Sequence, residues 1–334
     1  MITVVSEEMC NMLKRLYKFS LSRLYYFREA YISIFDRRRR YNFVNFMHED
    51  KSWYESFLFN ACLPNPENWR LSHFKPHLEY YSVFGDRKKI ERSKVPYKVF
   101  WTVEDTRYNF PEYHDNCVND CTISLGFDFS DSPNYLRYPL WLLYYFGFSL
   151  NKDKIAAQVT AFNKHNSAFD DKKNKFCAMI ARHDRNGIRK QMIDMLSAVD
   201  TVSCPGAAYH NDNTLIENYH DQKIEYLKSF KFNICPENTS TKGYVTEKLF
   251  QAFDAGCIPI YWGSDMPESE VINPKSYIVY DGISDISKTV KRLYTNPQAY
   301  SEFKKENPLL DSAVDYIYTT NKKLKELFNK YIPA

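Results

Sequence analysis

No G-x-x-x-x-G-K loop occurs in this sequence, and only nine glycines are spread over its 334 residues. A Walker-type phosphate loop is therefore excluded. There is also no CxxC pair. The eight cysteines fall at positions 10, 62, 117, 121, 177, 204, 235 and 257. Cys117 and Cys121, with His114 nearby, resemble half of a zinc site whose second half is missing, so no metal is expected. Cysteines scattered in this way suit a reducing compartment. The longest uncharged, mostly apolar run, Tyr138 to Leu150, is too short to span a bilayer and contains Pro139 and Gly147. The N-terminus lacks the clean apolar run of a signal peptide. Internal repeats and low-complexity tracts are absent.

The folded body also lacks an excess of charge of either sign. Residues 1–40 hold nine Lys or Arg against four Asp or Glu, while the rest of the chain holds 36 against 37. The net charge of +4 thus belongs to the first forty residues. Nucleic-acid binding, which needs a basic patch on the body, is not expected. The length exceeds what one hydrophobic core usually serves, which points to two domains. Aromatic residues are abundant, with 27 Tyr, 24 Phe and 5 Trp. Sugar clefts use such rings, although most must be core.

The most informative stretch is Phe230 to Gly263. Phe230, Phe232 and Ile234 alternate with polar neighbours, as in a strand. Pro236 stops the strand, and a polar loop runs to Gly243. Thr246 is positioned to cap a helix carrying Leu249, Phe250 and Phe253. Gly256 falls where a helix end favours positive φ, and Ile258, Ile260 and Tyr261 resume a strand. This βαβ unit places the loop at the carboxyl edge of a sheet, with a helix N-terminus aimed at it. Lys248 lies in the first turn, against the helix dipole. A bound phosphate accounts for a cation there, and Lys242 adds a second. Arg189 repeats the pattern at the start of a helix over 188–196, after a strand over 176–180 and the loop Arg182 to Gly187. Two cations so placed imply one shared anion.

Elsewhere, residues 8–35 predict a helix in which Cys10, Leu13, Tyr17, Ser20, Leu24, Phe27, Tyr31 and Ile34 keep heptad spacing. This segment is expected to be a peripheral module that packs on the body or a second subunit, or lies on an anionic membrane. Strands are expected over 41–46, 80–84, 98–103 and 122–125. A short helix is expected over 53–59, and a polar linker over 151–174. Amphipathic helices are expected over 286–293 and 324–331.

Glu237-Asn238, Gly243-Tyr244-Val245-Thr246-Glu247-Lys248 and Ile258-Pro259-Ile260-Tyr261-Trp262-Gly263 together resemble the signature of the α-1,3-fucosyltransferases, glycosyltransferase family 10. Weaker similarity runs from about Tyr41 to about Pro308. It includes Ser82 to Gly85, Phe100 to Glu104, Gly126-Phe127-Asp128 and Tyr135 to Leu140. The resemblance implies a GT-B-like α/β fold with two Rossmann-like domains facing a cleft. We expect an N-terminal helical extension over 1–40, an acceptor-side domain over 41–160 and a donor domain over 161–334. It further implies GDP-fucose as donor, inversion at the sugar carbon and an acceptor of the Galβ1-4GlcNAc type. Another nucleotide sugar, an α-1,4 linkage, or an O-antigen or capsule acceptor is the alternative.

By the same resemblance Glu104 matches the general base, with Glu237 as runner-up. Arg189 and Lys248 match residues on the diphosphate. Asn238, Tyr244, Glu247 and Glu237 match residues lining the donor pocket, and Arg182 is within reach of the phosphates. The sequence departs from relatives at Val103 and Asp105, where Gly and Asn are frequent, and at its C-terminus, which lacks the heptads and basic tail of some bacterial relatives. With two cations to hold the leaving group, no metal is required, and Asp128-Phe129-Ser130-Asp131 has the wrong spacing for a DxD motif. The paired cysteines of secretory relatives are not evident. Asn238-Thr239-Ser240 is formally a glycosylation acceptor, but a glycan there would block the donor loop. Together these features lead us to expect a bacterial-type cytoplasmic enzyme, peripheral at the inner membrane face.

Overall fold

The computed structural model describes residues 7–45, 57 and 62–334, with side chains from Ser20 onward. Two parallel sheets form the framework. In the first, β1 (Arg39–Val44), β2 (Trp69–Leu71), β3 (Leu78–Tyr81), β4 (Tyr97–Trp101), β5 (Ile123–Gly126) and β6 (Tyr135–Arg137) lie in the order β2-β1-β3-β4-β5-β6. In the second, β7 (Lys175–Met179), β8 (Val202–Ser203), β9 (Phe230–Ile234), β10 (Ile258–Tyr261) and β11 (Ile278–Val279) lie in the order β11-β10-β9-β7-β8. Both orders reverse direction once, and in open α/β sheets the crevice at that point is where ligands bind. The expected two-sheet architecture is therefore present. Parallel strands are covered on both faces, and β5 and β10 are buried along their whole length.

The stretch 151–174, expected as a linker, is a correction. Most of it is the helix Lys152–Ala168, with Asn151 capping through Oδ1 to the Lys154 N–H at 2.9 Å. Ile155, Val159 and Phe162 recur at i, i+4 and i+7 and are buried, while Lys152, Lys154 and Lys164 point outward. This helix packs between Lys248–Asp254 and the long C-terminal helix Ala313–Tyr331. The latter reaches back to the first sheet. Tyr138 donates to Asn321 Oδ1 at 2.8 Å, and Lys325 Nζ donates to Leu63 O at 3.3 Å. One buried apolar cluster consequently runs from Tyr41 through Trp141 and Phe250 to Ile332, joining both sheets.

The N-terminal helix spans Glu7–Phe35, and β1 opens at Arg39. Glu29 holds the helix on the body through Arg70 at 2.5 Å and Ser72 at 2.7 Å. Of the expected 53–59 helix only Phe57 is described, so that expectation lies outside the described residues. The helices expected over 286–293 and 324–331 are present within Ser287–Thr295 and Ala313–Tyr331. Gly256 has φ 67°, as its place after the Lys248–Asp254 helix demands.

Candidate active site

The reversal in the second sheet lies between β7 and β9, and the loops that follow these strands leave a cavity of about 610 Å³ at their carboxyl ends. Arg182, His183, Arg189, Asn238, Glu247 and Lys248 are on its wall. Arg189 is the second residue of the helix Ile188–Ser197, which Gly187 opens with φ 75°. The guanidinium is buried and donates to His183 O and to Asn238 Oδ1, each at 3.0 Å. Both acceptors are neutral. Burial lowers the Arg189 pKa despite the opposing fields of Asp184 and Glu237. A buried cation whose hydrogen-bond partners are neutral leaves most of its charge uncompensated, which suits an anionic ligand. His183 beside it is also pushed below its usual range, first by burial and then by Arg185, Arg189 and Lys248.

Lys248 has a different environment from the one its sequence position suggests. The helix begins at Lys248 with Glu247 at the N-cap, and the Thr246 side chain does not cap it. Instead Glu237, wholly buried on the loop after β9, accepts from the Thr246 N–H and from Thr246 Oγ1, both at 2.7 Å. Lys248 Nζ donates to Glu237 Oε2 at 3.0 Å and to Thr246 Oγ1 at 2.8 Å. The first-turn cation thus has an internal carboxylate partner as well as a place on the cavity wall. Burial pulls its pKa down, but Glu237 and Glu247 together outweigh this and raise it, so Lys248 remains charged. Glu237, considered as an alternative base, has both carboxylate oxygens engaged within the protein.

The first sheet contributes the loop after β4. Thr102 Oγ1 accepts the Glu104 N–H at 3.1 Å, which turns the chain at the strand end. Asp105 is wholly buried and accepts from Thr241 Oγ1 at 2.7 Å and from Thr239 Oγ1. Asp105 thereby clasps the loop after β9 and holds Glu104 close to it. Among the described residues no group donates a hydrogen bond to the Glu104 carboxylate. Burial raises its pKa; Lys248 opposes this, and Glu247, Asp105 and Glu237 add to the rise. These interactions place Glu104 near the charges of the cavity wall.

Tyr244 is buried edge-on against Phe127, with ring centroids 4.9 Å apart, and supports the loop from beneath rather than lining the cavity. Lys242 lies over the Phe129 ring at 5.5 Å, apart from Lys248. Arg182 is exposed at the cavity wall. Asp128 is taken up by Arg107 at 3.0 Å and Asn116 at 2.8 Å. Among the described residues there is no group of three His, Cys, Asp or Glu side chains arranged for a metal.

One hub lies in the Tyr135–Leu140 run of weaker similarity, which gave it no role. Arg137 at the end of β6 donates to Gly243 O at 2.7 Å, Glu268 Oε1 at 2.6 Å, Phe127 O at 2.8 Å and Tyr316 Oη at 3.0 Å. It ties the first sheet to the loop after β9 and to the C-terminal helix. Gly243 can meet it only as glycine: φ is 83°, and an added Cβ would lie 2.8 Å from both Phe127 O and the Phe129 ring. Gly243→Ala should lower stability by about 1–3 kcal/mol, the usual cost of one residue forced into such a conformation. The shift in urea midpoint at unchanged slope measures it.

Comparison with known proteins fits this geometry. The family described as glycosyltransferase family 10 (fucosyltransferase), C-terminal part, matches residues 169–309. The α-(1,3)-fucosyltransferase FucT of Helicobacter pylori is 31% identical over 258 residues, covering 70% of this chain and 51% of that protein. An α-(1,4)-fucosyltransferase of Arabidopsis thaliana is 39% identical over 80 residues, 23% of this chain and 20% of that one. The chain thus spans about half the length of the first relative and less of the second. A crystal structure of an α1,3-fucosyltransferase superposes with a TM-score of 0.64 at 24% identity, covering 86% of this chain and 90% of that one. A crystal structure of α1,3-fucosyltransferase with GDP-fucose gives 0.60 at 22%, with the same coverage. These structural matches establish the fold.

Proposed function

We propose that this chain, whose residues 169–309 match glycosyltransferase family 10 (fucosyltransferase), transfers L-fucose from GDP-fucose to the 3-hydroxyl of GlcNAc in a Galβ1-4GlcNAc-type acceptor, with inversion. The observation that carries this reading is the pairing of two features. Arg189, a buried cation whose hydrogen-bond partners among the described residues are neutral, lines a cavity beside Lys248, and Glu104, a carboxylate with no donor among the described residues, stands close by. Departure of GDP leaves negative charge on the diphosphate, which fixed cations stabilise. The acceptor hydroxyl must lose a proton, which a carboxylate of raised pKa accepts near neutral pH.

In this reading Glu104 is the base, and Arg189 and Lys248 hold the diphosphate. Arg182, Asn238 and Glu247 line the donor pocket. Glu237 and Tyr244 act beneath it, Glu237 by positioning Lys248 and the helix start. No metal is required. The enzyme acts in the cytoplasm on a bacterial surface glycan such as lipopolysaccharide, and residues 1–40 stand outside the donor site.

The test is the mass of Galβ1-4GlcNAc after incubation with GDP-fucose. A gain of one fucosyl residue, with linkage and anomer read by NMR, supports the proposal. A gain only from another nucleotide sugar, or an α-1,4 linkage as the Arabidopsis relative's name suggests, replaces it.

A further inference from the structure

The run from Glu104 to Phe110 leaves β4 and closes on itself at once, because the Asn109 N–H donates to Asp105 O at 3.1 Å and forms one helical turn. Most of its side chains are engaged elsewhere. Asp105 accepts from Thr239 and Thr241, Thr106 is buried, and Arg107 donates to Asp128 Oδ1 at 3.0 Å. Asn109 Oδ1 accepts from Arg185 Nη1 at 3.1 Å, and Phe110 meets the Phe84 ring edge-on at 5.7 Å. The turn is thus tied to the second sheet at both ends, by Asp105 to the loop after β9 and by Asn109 to the loop after β7. Arg107 ties its middle to the loop after β5.

Tyr108 is the exception. It is 70% exposed, and among the described residues neither its ring nor its hydroxyl has a partner. The other exposed ring at this sheet edge, Phe129, differs. Arg137 lies over it at 4.9 Å and Lys242 at 5.5 Å, and it closes on Gly243. A tyrosine presented on a turn anchored at three points has already lost much of its freedom, so little more is lost when a ligand covers it.

The chemistry at Glu104 identifies that ligand. In the reaction proposed above Glu104 takes the proton of the GlcNAc 3-hydroxyl. Galactose is joined to the neighbouring O4, so it must lie beside the same carboxylate. GDP-fucose occupies the cavity walled by the loops after β7 and β9, which leaves the loops of the first sheet to the acceptor. Tyr108 stands there, four residues and one turn beyond Glu104. Galactose suits it, because the axial 4-hydroxyl leaves the C–H groups at carbons 3, 4 and 5 together on one face of the sugar. Such an apolar face packs on an aromatic ring, and the phenol remains free to hydrogen-bond a sugar hydroxyl.

We propose that Tyr108 receives the galactose of the acceptor, its ring stacking on that apolar face. The inference rests on the reaction proposed above. Asp105, Arg107 and Asn109 contribute by positioning the turn.

Initial rates of fucosyl transfer to Galβ1-4GlcNAc and to GlcNAc alone test it. The wild type should prefer the disaccharide. Tyr108→Ala should raise the KM for the disaccharide about tenfold, the order of one aromatic contact, and should spare GlcNAc, which has no galactose to lose. The preference should therefore collapse. Tyr108→Phe and Tyr108→Trp should keep it, since either ring can stack. The KM for GDP-fucose and the melting temperature should not move, because the side chain is exposed and does not line the donor cavity. An equal loss on both acceptors would show that the change acts on the turn rather than on galactose. That result, or an undiminished preference in Tyr108→Ala, or no preference in the wild type, overturns the inference and leaves the reaction standing. Failure of the wild type to fucosylate either acceptor overturns the reaction and this inference with it.

Discussion

Glu104→Gln lowers kcat by about 10²–10⁴, the usual worth of a positioned general base, and leaves GDP-fucose affinity in place. The amide keeps the size of the side chain and removes only its ability to take a proton. Glu104 is held close to the loop after β9 by its neighbour Asp105, which clasps Thr239 and Thr241 whether or not residue 104 is ionised. The pH profile separates a base from a spectator. Burial raises the carboxyl pKa, so kcat in the wild type should fall on the acid side at a pH above the ordinary carboxylate range. That limb should vanish in the Gln variant. Stability should move the other way. A carboxyl whose folded-state pKa is raised contributes stability below its unfolded pKa, and this is lost as pH rises through the folded value. At neutral pH the ionised Glu104 is therefore a cost to the fold, and Glu104→Gln should melt no lower than wild type. Wild-type turnover with an unchanged acidic limb would assign the base to another carboxylate.

The alternation of Phe230, Phe232 and Ile234, the stop at Pro236 and the positive φ at Gly256 were all readable before the structure, because each is a local consequence of residue type. β2, β6, β8 and β11 were not, since two or three residues carry no period. The helix Lys152–Ala168 was hidden by its lysines, although Ile155, Val159 and Phe162 keep its spacing. Placement of Arg189 and Lys248 at helix starts was legible, but their difference was not. A sequence shows that a cation opposes a helix dipole; it does not show that a carboxylate eleven positions upstream has been buried beneath it. For the same reason Glu237 looked like a pocket residue and Arg137 like any strand-end arginine. Their roles come from contacts across the fold.

That difference between the two cations sets the largest remaining expectation. Arg189→Ala should lower kcat/KM by about 2–4 kcal/mol of transition-state stabilisation, the scale seen when one preorganised electrostatic contact is removed. Its effect on folding should be small, because the lost bonds go to the neutral His183 carbonyl and Asn238 amide. Lys248→Ala should cost the same in kcat/KM and, in addition, about 3–5 kcal/mol of stability, because it strands the buried Glu237 carboxylate. Adding Glu237→Gln to Lys248→Ala should recover much of that stability and none of the rate. If both cations act on one diphosphate, the double variant Arg189→Ala, Lys248→Ala should lose less than the sum of the two, since groups sharing a partner couple. Wild-type kcat/KM in Arg189→Ala would remove the anion from this site altogether. Strict additivity would instead place the two cations on separate groups of the donor, with Arg182 as the next candidate to complete the diphosphate contact.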